Sequence, residues 1–161
     1  MYDLRPETPD DLWEVEALFD TCFAPGRTAL SSYRLREGVA PVAGLCLVAR
    51  DDLGILAGAI RFWPVDVGGQ VTLLLGPVAA HPTRQGEGLG ALLIQTSLEL
   101  AGKQGWDRVL LVGDSPYYER YGFVRLDGVT MPPPTNPERV LGRALRDGAW
   151  DGVQGTVTRA R

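Results

Sequence analysis

The strongest chemical signal in the chain is a ten-residue run, His81-Pro82-Thr83-Arg84-Gln85-Gly86-Glu87-Gly88-Leu89-Gly90. Its three glycines alternate with other residues and open a long apolar helical pattern. Glycines at that spacing let a backbone approach a ligand closely. The first turn of a helix starting there has N–H groups without intrahelical acceptors and a partial positive charge. Together they make a cradle for phosphate, to which Arg84 adds a formal charge nearby. The plainer alternative is a tight strand-to-helix turn with no ligand. A P-loop is excluded, because neither Gly-Lys-Ser nor Gly-Lys-Thr occurs. A dinucleotide fingerprint, Gly86-x-Gly88-x-x-Ala91 with Asp107 as its acid, fits poorly: Asp107 precedes the next strand instead of ending it, and the loop is longer than a tight first βα turn.

The elements that must hold this loop alternate along the chain. Residues 2–5 read as an edge strand. Thr8-Pro9-Asp10-Asp11 reads as a helix start, with a hydroxyl cap, Pro at the first position and acids in the first turn. Leu12, Val15, Leu18 and Phe19 carry that helix to about Cys22. A weaker helix is expected over residues 28–37. Strands follow at 45–50, 55–65 and 71–80, joined by turns at Asp51-Asp52-Leu53-Gly54 and Val67-Gly68-Gly69-Gln70. Gly76-Pro77 falls inside the third of these, and Pro cannot donate to a ladder, so that strand should bend there. Residues 88–103 form the strongest helix, with Leu89, Leu92, Leu93, Leu100 and Ala101 as its apolar face. A strand at 108–112, a short helix at 116–120, a strand at 123–126, a helix at 137–145 and a strand at 152–158 complete the order. The fold class is α/β (α+β): a mixed, mostly antiparallel central sheet flanked by helices, with one βαβ unit at 71–113.

Composition sets the outer limits. The 161 residues suit one domain spanning 1–161. Sixteen basic and twenty acidic residues leave a net charge of −4, without the basic excess of a nucleic-acid binder. Two cysteines and one histidine supply neither a disulfide framework nor a usual zinc site, so no metal is expected. There is no apolar run of membrane length and no basic, then apolar, start after Met1, so a cytoplasmic protein is expected.

The two motifs and their spacing carry a resemblance. Gln85-x-x-Gly88-x-Gly90, after a strand ending Val78-Ala79-Ala80-His81-Pro82, is similar to the acetyl-CoA signature of the GNAT N-acetyltransferase superfamily. Gly113-Asp114-Ser115-Pro116-Tyr117-Tyr118-Glu119-Arg120-Tyr121-Gly122-Phe123 resembles its second motif, in which a Tyr precedes Gly-Phe by four. Leu75-Gly76-Pro77 and the Gly-Asp-x-x-Tyr-Tyr turn resemble a bacterial subgroup. The resemblance is specific over residues 71–126 and implies the acyl-CoA N-acyltransferase fold, in which the strands before and after the glycine-loop helix splay apart to receive pantetheine.

It further implies acetyl-CoA as co-substrate and an amine acceptor, either a small molecule or a peptide, with a homodimer by analogy. Carried over, Val78 and Ala80 offer backbone groups to the acetyl carbonyl and the pantetheine. The N–H groups of Gln85, Gly86, Gly88, Leu89, Gly90 and Ala91 surround the pyrophosphate. Tyr118 matches the general acid; a phenol with an ordinary pKa near 10 is protonated at neutral pH and donates without tuning. The family's Asn, seven residues before its Tyr, falls here at Leu111 inside a strand, so contacts from the Asp114-Ser115-Pro116 turn, including the Ser115 hydroxyl, are expected instead. Asp114 is read as a helix cap before a base, and His81 as a loop residue. A second reading is a non-catalytic acyl-CoA sensor, since fold does not fix function. The acceptor side is expected around residues 8–38, Asp66 and 132–137, where Arg27, Arg34, Arg36, Glu37 and Trp63 do not select an acceptor.

Overall fold

The computed structural model describes residues 1–23 and 31–160. At the N-terminus β1 (Asp3–Pro6) lies antiparallel to β2 (Leu47–Arg50) at the sheet edge. The Asp11 carboxylate reaches back to the Thr8 N–H at 2.8 Å. Pro9 then sits in a 3-10 turn that leads into α1 (Leu12–Cys22). Val15, Leu18 and Phe19 form its buried stripe, packed with Val48, Leu56, Ala59 and Ala79 on one face of the sheet. Of the second expected helix, residues 28–30 lie outside the described residues, and α2 is Ser31–Arg34.

The meander matches its expected turns. Gly68 and Gly69 both take positive φ (56° and 88°) between β3 (Leu56–Val67) and β4 (Gln70–Ala80), the conformation that two-residue hairpins require. α3 (Leu89–Lys103) crosses the opposite face from α1 and buries Leu89, Leu93, Ile94, Leu98 and Ala101 against Ile60, Phe62, Leu73 and Leu75. Each of these Leu, Ile and Phe side chains contributes about 1.5–3 kcal/mol when removed from water, and Ala101 less. Leu92, assigned to the apolar face from sequence, is exposed instead. Gly58 permits the close approach: a Cβ there would stand 3.0 Å from Leu89, Leu93 and the Ala79 carbonyl oxygen.

After α3, β5 (Arg108–Val112) runs parallel to β4, which completes the βαβ unit. α4 (Ser115–Tyr118) and a 3-10 turn ending at Tyr121 follow. β6 (Val124–Arg125) and β7 (Val129–Thr130) are short. The expected helix at 137–145 is not formed. Residues Pro137–Arg139 make one 3-10 turn, and β8 (Val140–Ala144) then pairs with all five residues of β5. The helix propensity of Leu, Arg and Ala loses to the open edge of β5, where Leu141 packs into one core cluster and Val140 into the other. β9 (Gly155–Arg159) pairs with β3 and β7. The main path runs β1-β2-β3-β4-β5-β8-β6, mixed and mostly antiparallel.

Candidate active site

The site is an opening in this sheet. β4 and β5 pair only at Leu73–Val109 and Leu74–Leu110. Beyond them β4 bends: Ile60 faces Val78 and Phe62 faces Leu75, so Gly76 and Pro77 stand opposite the single residue Arg61. That bulge is where the Gly-Pro pair predicts a bend. It is fixed from two sides. The Gly76 carbonyl accepts the Trp63 indole N–H at 2.8 Å. The Arg61 guanidinium is held by both oxygens of Glu7 (3.0 and 2.8 Å) and by Glu16 (2.6 Å).

The ladder phase decides which groups the bent strand presents. His81 N–H donates to the Ala57 carbonyl at 2.8 Å, so Ala57–His81 and Ala59–Ala79 are the hydrogen-bonded pairs. Val78 and Ala80 occupy the alternate positions, and their N–H and C=O groups point away from β3 into the opening. The Ala80 carbonyl receives the Cys22 thiol at 3.4 Å. Burial pushes that thiol's pKa up, and that of the buried Cys46 too, which disfavours either as a nucleophile.

Beyond β4 comes the glycine loop. Gly86 and Gly88 have φ of +87° and +76°, and a Cβ at either would meet no atom within 4 Å, so backbone conformation alone demands glycine there. Gly88 is the α3 N-cap, with no side-chain cap and no acid in the first turn. Its carbonyl accepts the Leu92 N–H, which leaves Leu89, Gly90 and Ala91 N–H groups at the open helix end. Val78, Ala80, Gln85, Gly86, Gly88, Leu89, Gly90 and Ala91 all line one cleft of about 550 Å³. Ser115, the first residue of α4, does not line it. Arg84 lines the cleft but is engaged: its guanidinium meets Asp51 at 2.5 Å and the Tyr2 hydroxyl at 3.5 Å, while Tyr2 donates to Glu87 at 2.7 Å. These bonds tie the loop to β1 and the β2–β3 turn.

Tyr118 stands between this cleft and a second, smaller one. The Asp114 carbonyl accepts the Tyr117 and Tyr118 N–H groups, starting α4; the Asp114 side chain makes no capping bond. The Tyr118 ring lies against Gly113, where a Cβ would stand only 2.5 Å from its Cε2. It also packs edge-on to Tyr117 and Phe123, and Tyr121 donates to the Tyr117 hydroxyl at 3.1 Å. Burial first, then the neighbouring Tyr117, pushes the Tyr118 pKa up to about 12, with Arg139 pulling the other way. Tyr118 is therefore protonated throughout the neutral range.

The second cleft, about 150 Å³, is lined by Leu74, Val78, Leu111 and Val112 of the two parted strands, with Tyr33 and Arg36 over them. Tyr33 and Arg36 fall within residues 8–38, where the acceptor side is expected, but sequence reasoning did not find Leu74, Leu111 and Val112 opposite them, because the wall draws on five separate segments. Asp66, expected near the acceptor, instead accepts the Gly69 N–H in the β3–β4 turn, and residues 132–137 do not line the cleft. Arg27 lies outside the described residues. His81 is a loop residue, its ring bonded to Thr83. Among the described residues, no group of three or more His, Cys, Asp or Glu side chains could hold a metal ion, and no helix is long and apolar enough to cross a membrane.

The parted strand pair and the glycine loop form the opening that the sequence resemblance implies, and comparison with known proteins identifies the family. Residues 43–125 match the acetyltransferase (GNAT) domain family, and the chain belongs to this family of acyltransferases. It is 34% identical over 122 residues to the uncharacterized N-acetyltransferase YhbS of Escherichia coli K12, covering 74% of this chain and 72% of that one. Its fold is similar to the crystal structure of Escherichia coli YhbS in complex with CoA (TM-score 0.85, 30% identity, 99% and 89% of the two chains). It is also similar to a GNAT family acetyltransferase from Brucella melitensis in complex with acetyl-CoA (TM-score 0.76, 29% identity, 99% and 96%).

Proposed function

We propose that this acetyltransferase moves the acetyl group of acetyl-CoA to a primary amine by direct attack within a ternary complex. The observation that carries this reading is that Val78 and Tyr118 line both clefts, so a thioester entering past the glycine loop and an amine entering from the smaller cleft meet between them. The N–H groups of Gln85, Gly86, Gly88, Leu89, Gly90 and Ala91 receive the pyrophosphate, and the Ala80 N–H receives the pantetheine.

A neutral amine nitrogen attacks the thioester carbonyl; the C–N bond forms and the C–S bond breaks. The amine nitrogen gives up a proton, and the sulfur gains one. The Val78 N–H, fixed by the bulge before the reaction begins, stabilises the oxyanion. Tyr118 donates to the departing sulfur. Against a free thiol of pKa near 8.5, full transfer from a phenol near 12 is uphill by roughly 4–5 kcal/mol. The same desolvation raises the thiolate's basicity and narrows that gap. Tyr118 thus acts as a hydrogen-bond donor to the growing charge and completes the transfer late.

The test measures thermal stability with acetyl-CoA, CoA, NADH and ATP in parallel, followed by free-thiol release over an amine panel. Ligand at one hundred times its Kd adds about 2.7 kcal/mol, a rise of roughly 5–10 °C for a domain of this size. A rise with acetyl-CoA and CoA alone, and thiol release that requires an amine, is the expected result. Binding without release from any amine would favour a sensor, and no rise with either CoA compound would remove the reading.

A further inference from the structure

Two formal charges line the larger cleft among the described residues, and both are positive: Arg84 and Arg120. Arg84 is already paired with Asp51. Arg120 is exposed and forms no ion pair or hydrogen bond with a described residue. Its guanidinium carbon instead lies over the Tyr117 ring, 4.8 Å from the centroid. A contact with a ring face uses no N–H group, so the fork of donors stays available to an anion in the cleft.

The Tyr117 hydroxyl marks where that anion would sit. A Cβ on Gly90, in the first turn of α3, would stand 3.5 Å from it, so the hydroxyl lies beside the open helix end. Tyr121 fixes its direction. This residue is 5% exposed and donates to the Tyr117 oxygen at 3.1 Å. A buried phenol seeks an acceptor, and Tyr117 is the partner it has among the described residues. With its oxygen accepting that bond, Tyr117 keeps its own hydrogen for a group in the cleft. Backbone N–H groups, a hydroxyl and a guanidinium thus face one space, and no acidic residue lines it among the described residues.

Such a set of donors suits a phosphate oxyanion. We infer that Tyr117 and Arg120 are donor-binding residues that close the phosphate cradle from the α4 side. Tyr117 donates to the pyrophosphate, Arg120 neutralises it, and Tyr121 positions Tyr117. This assignment rests on the acetyl-CoA reading above and adds side chains to a site otherwise made of backbone.

Three ligands test it by calorimetric titration: CoA, 3′-dephospho-CoA, which keeps the pyrophosphate, and pantetheine, which has no phosphate. Tyr117→Phe keeps the ring that packs on Tyr118, and Arg120→Met keeps an unbranched apolar stem over Tyr117. Each should weaken CoA and dephospho-CoA alike by about tenfold, the loss of one charge-assisted bond, and leave pantetheine within about twofold. The Arg120→Met loss should shrink at high salt, whereas the Tyr117→Phe loss should not. Tyr121→Phe should weaken CoA about threefold beside native Tyr117 and not at all beside Tyr117→Phe, since it acts through that hydroxyl. Arg120→Met, at an exposed position, carries the test if Tyr117→Phe does not fold.

Equal weakening of pantetheine would make these residues packing elements and overturn the assignment. A loss seen with CoA but not with dephospho-CoA would move Arg120 to the ribose phosphate and overturn its placement on the pyrophosphate. CoA binding that ignores both variants overturns this assignment alone, while failure of the native protein to bind CoA removes the acetyl-CoA reading itself.

Discussion

The two clefts that meet at Tyr118 are built from different materials. The glycine-loop side is made of backbone: N–H groups of a helix end, two positive-φ glycines and the free edge of a bent strand. Its chemistry is fixed by chain conformation, and ten of the fifteen residues that line it fall between 78 and 91, with Ile94 and the Tyr117–Tyr121 segment closing the rest. The smaller cleft is made largely of side chains drawn from Phe23 just after α1, from α2 and its following turn, from β4, from β5 and from Tyr118 of α4. Backbone recognition suits an invariant group such as pyrophosphate. A side-chain wall can be changed residue by residue without disturbing the strand edge behind it, so a fold of this kind can keep one donor while its acceptor varies.

If that division is sound, damage to the shared wall should hurt turnover without hurting donor binding. The largest effect is expected from Tyr118→Phe, which removes the proton donor and leaves the ring. It should lower kcat by about 10²-fold, with the acetyl-CoA melting shift retained. Full activity with chemistry rate-limiting would remove Tyr118 from the mechanism. The same variant has an alkaline signature. The folded state keeps a Tyr118 proton until about pH 12, whereas the unfolded chain loses it near 10. The associated stability is complete below about pH 10 and is lost as pH climbs to about 12, a fall of roughly 2–3 kcal/mol. The phenylalanine variant should lack that part of the decline, as read from unfolding midpoints at pH 9 and above, at about pH 11.

Gly113→Ala should come next. The added methyl would press on the Tyr118 ring at 2.5 and 2.9 Å, against a residue whose backbone is fixed by the start of α4. Overpacking of this kind costs about 1–3 kcal/mol. We expect the ring to move and kcat to fall about tenfold, again with donor binding kept. A variant that is destabilised yet fully active would mean that the ring's placement against Gly113 serves packing only.

Legibility from sequence follows the same division. The glycine loop, the bend at Gly76-Pro77 and the place of Tyr118 are local: each depends on residues within one or two turns of itself. Arg36 and Trp63 are both expected on the acceptor side, but that they meet at the β4 bulge depends on contacts between segments twenty-seven residues apart. The β8 strand is missed for a related reason. Residues 137–145 are locally acceptable as helix, and only the unpaired edge of β5, invisible from within that window, makes them a strand. Arg84 shows the converse: a cation beside a phosphate loop invites a binding role, and only the folded chain reveals that Asp51 and Tyr2 already engage it.

On the backbone side the expected effects are smaller and fall on binding. Gly88→Ala meets no neighbouring atom, so its cost is the left-handed conformation itself, about 1–2 kcal/mol of stability. Its Cβ also sits at the mouth of the phosphate cradle, so acetyl-CoA affinity should fall about tenfold while kcat at saturation is kept. A lower kcat with unchanged affinity would contradict the assignment of this loop to donor binding.

The smallest expected effect is the most discriminating for Arg84. As an anchor, Arg84 acts through Asp51, whose carboxyl it holds below the usual carboxylate range. Asp51→Asn keeps an oxygen for the Leu53 and Ile55 N–H groups but removes the charge that Arg84 meets. Both Asp51→Asn and Arg84→Met should then loosen the loop to a similar, small degree, with acetyl-CoA affinity changing by less than about fivefold, because the pair, though largely covered, acts on the donor site only through the loop. If Arg84 instead leaves Asp51 to bind phosphate, the two variants must diverge. Arg84→Met would weaken acetyl-CoA strongly, whereas Asp51→Asn would free the guanidinium and tighten binding. Titrating acetyl-CoA into the two variants at low and high salt therefore decides whether this cation belongs to the scaffold or to the donor site.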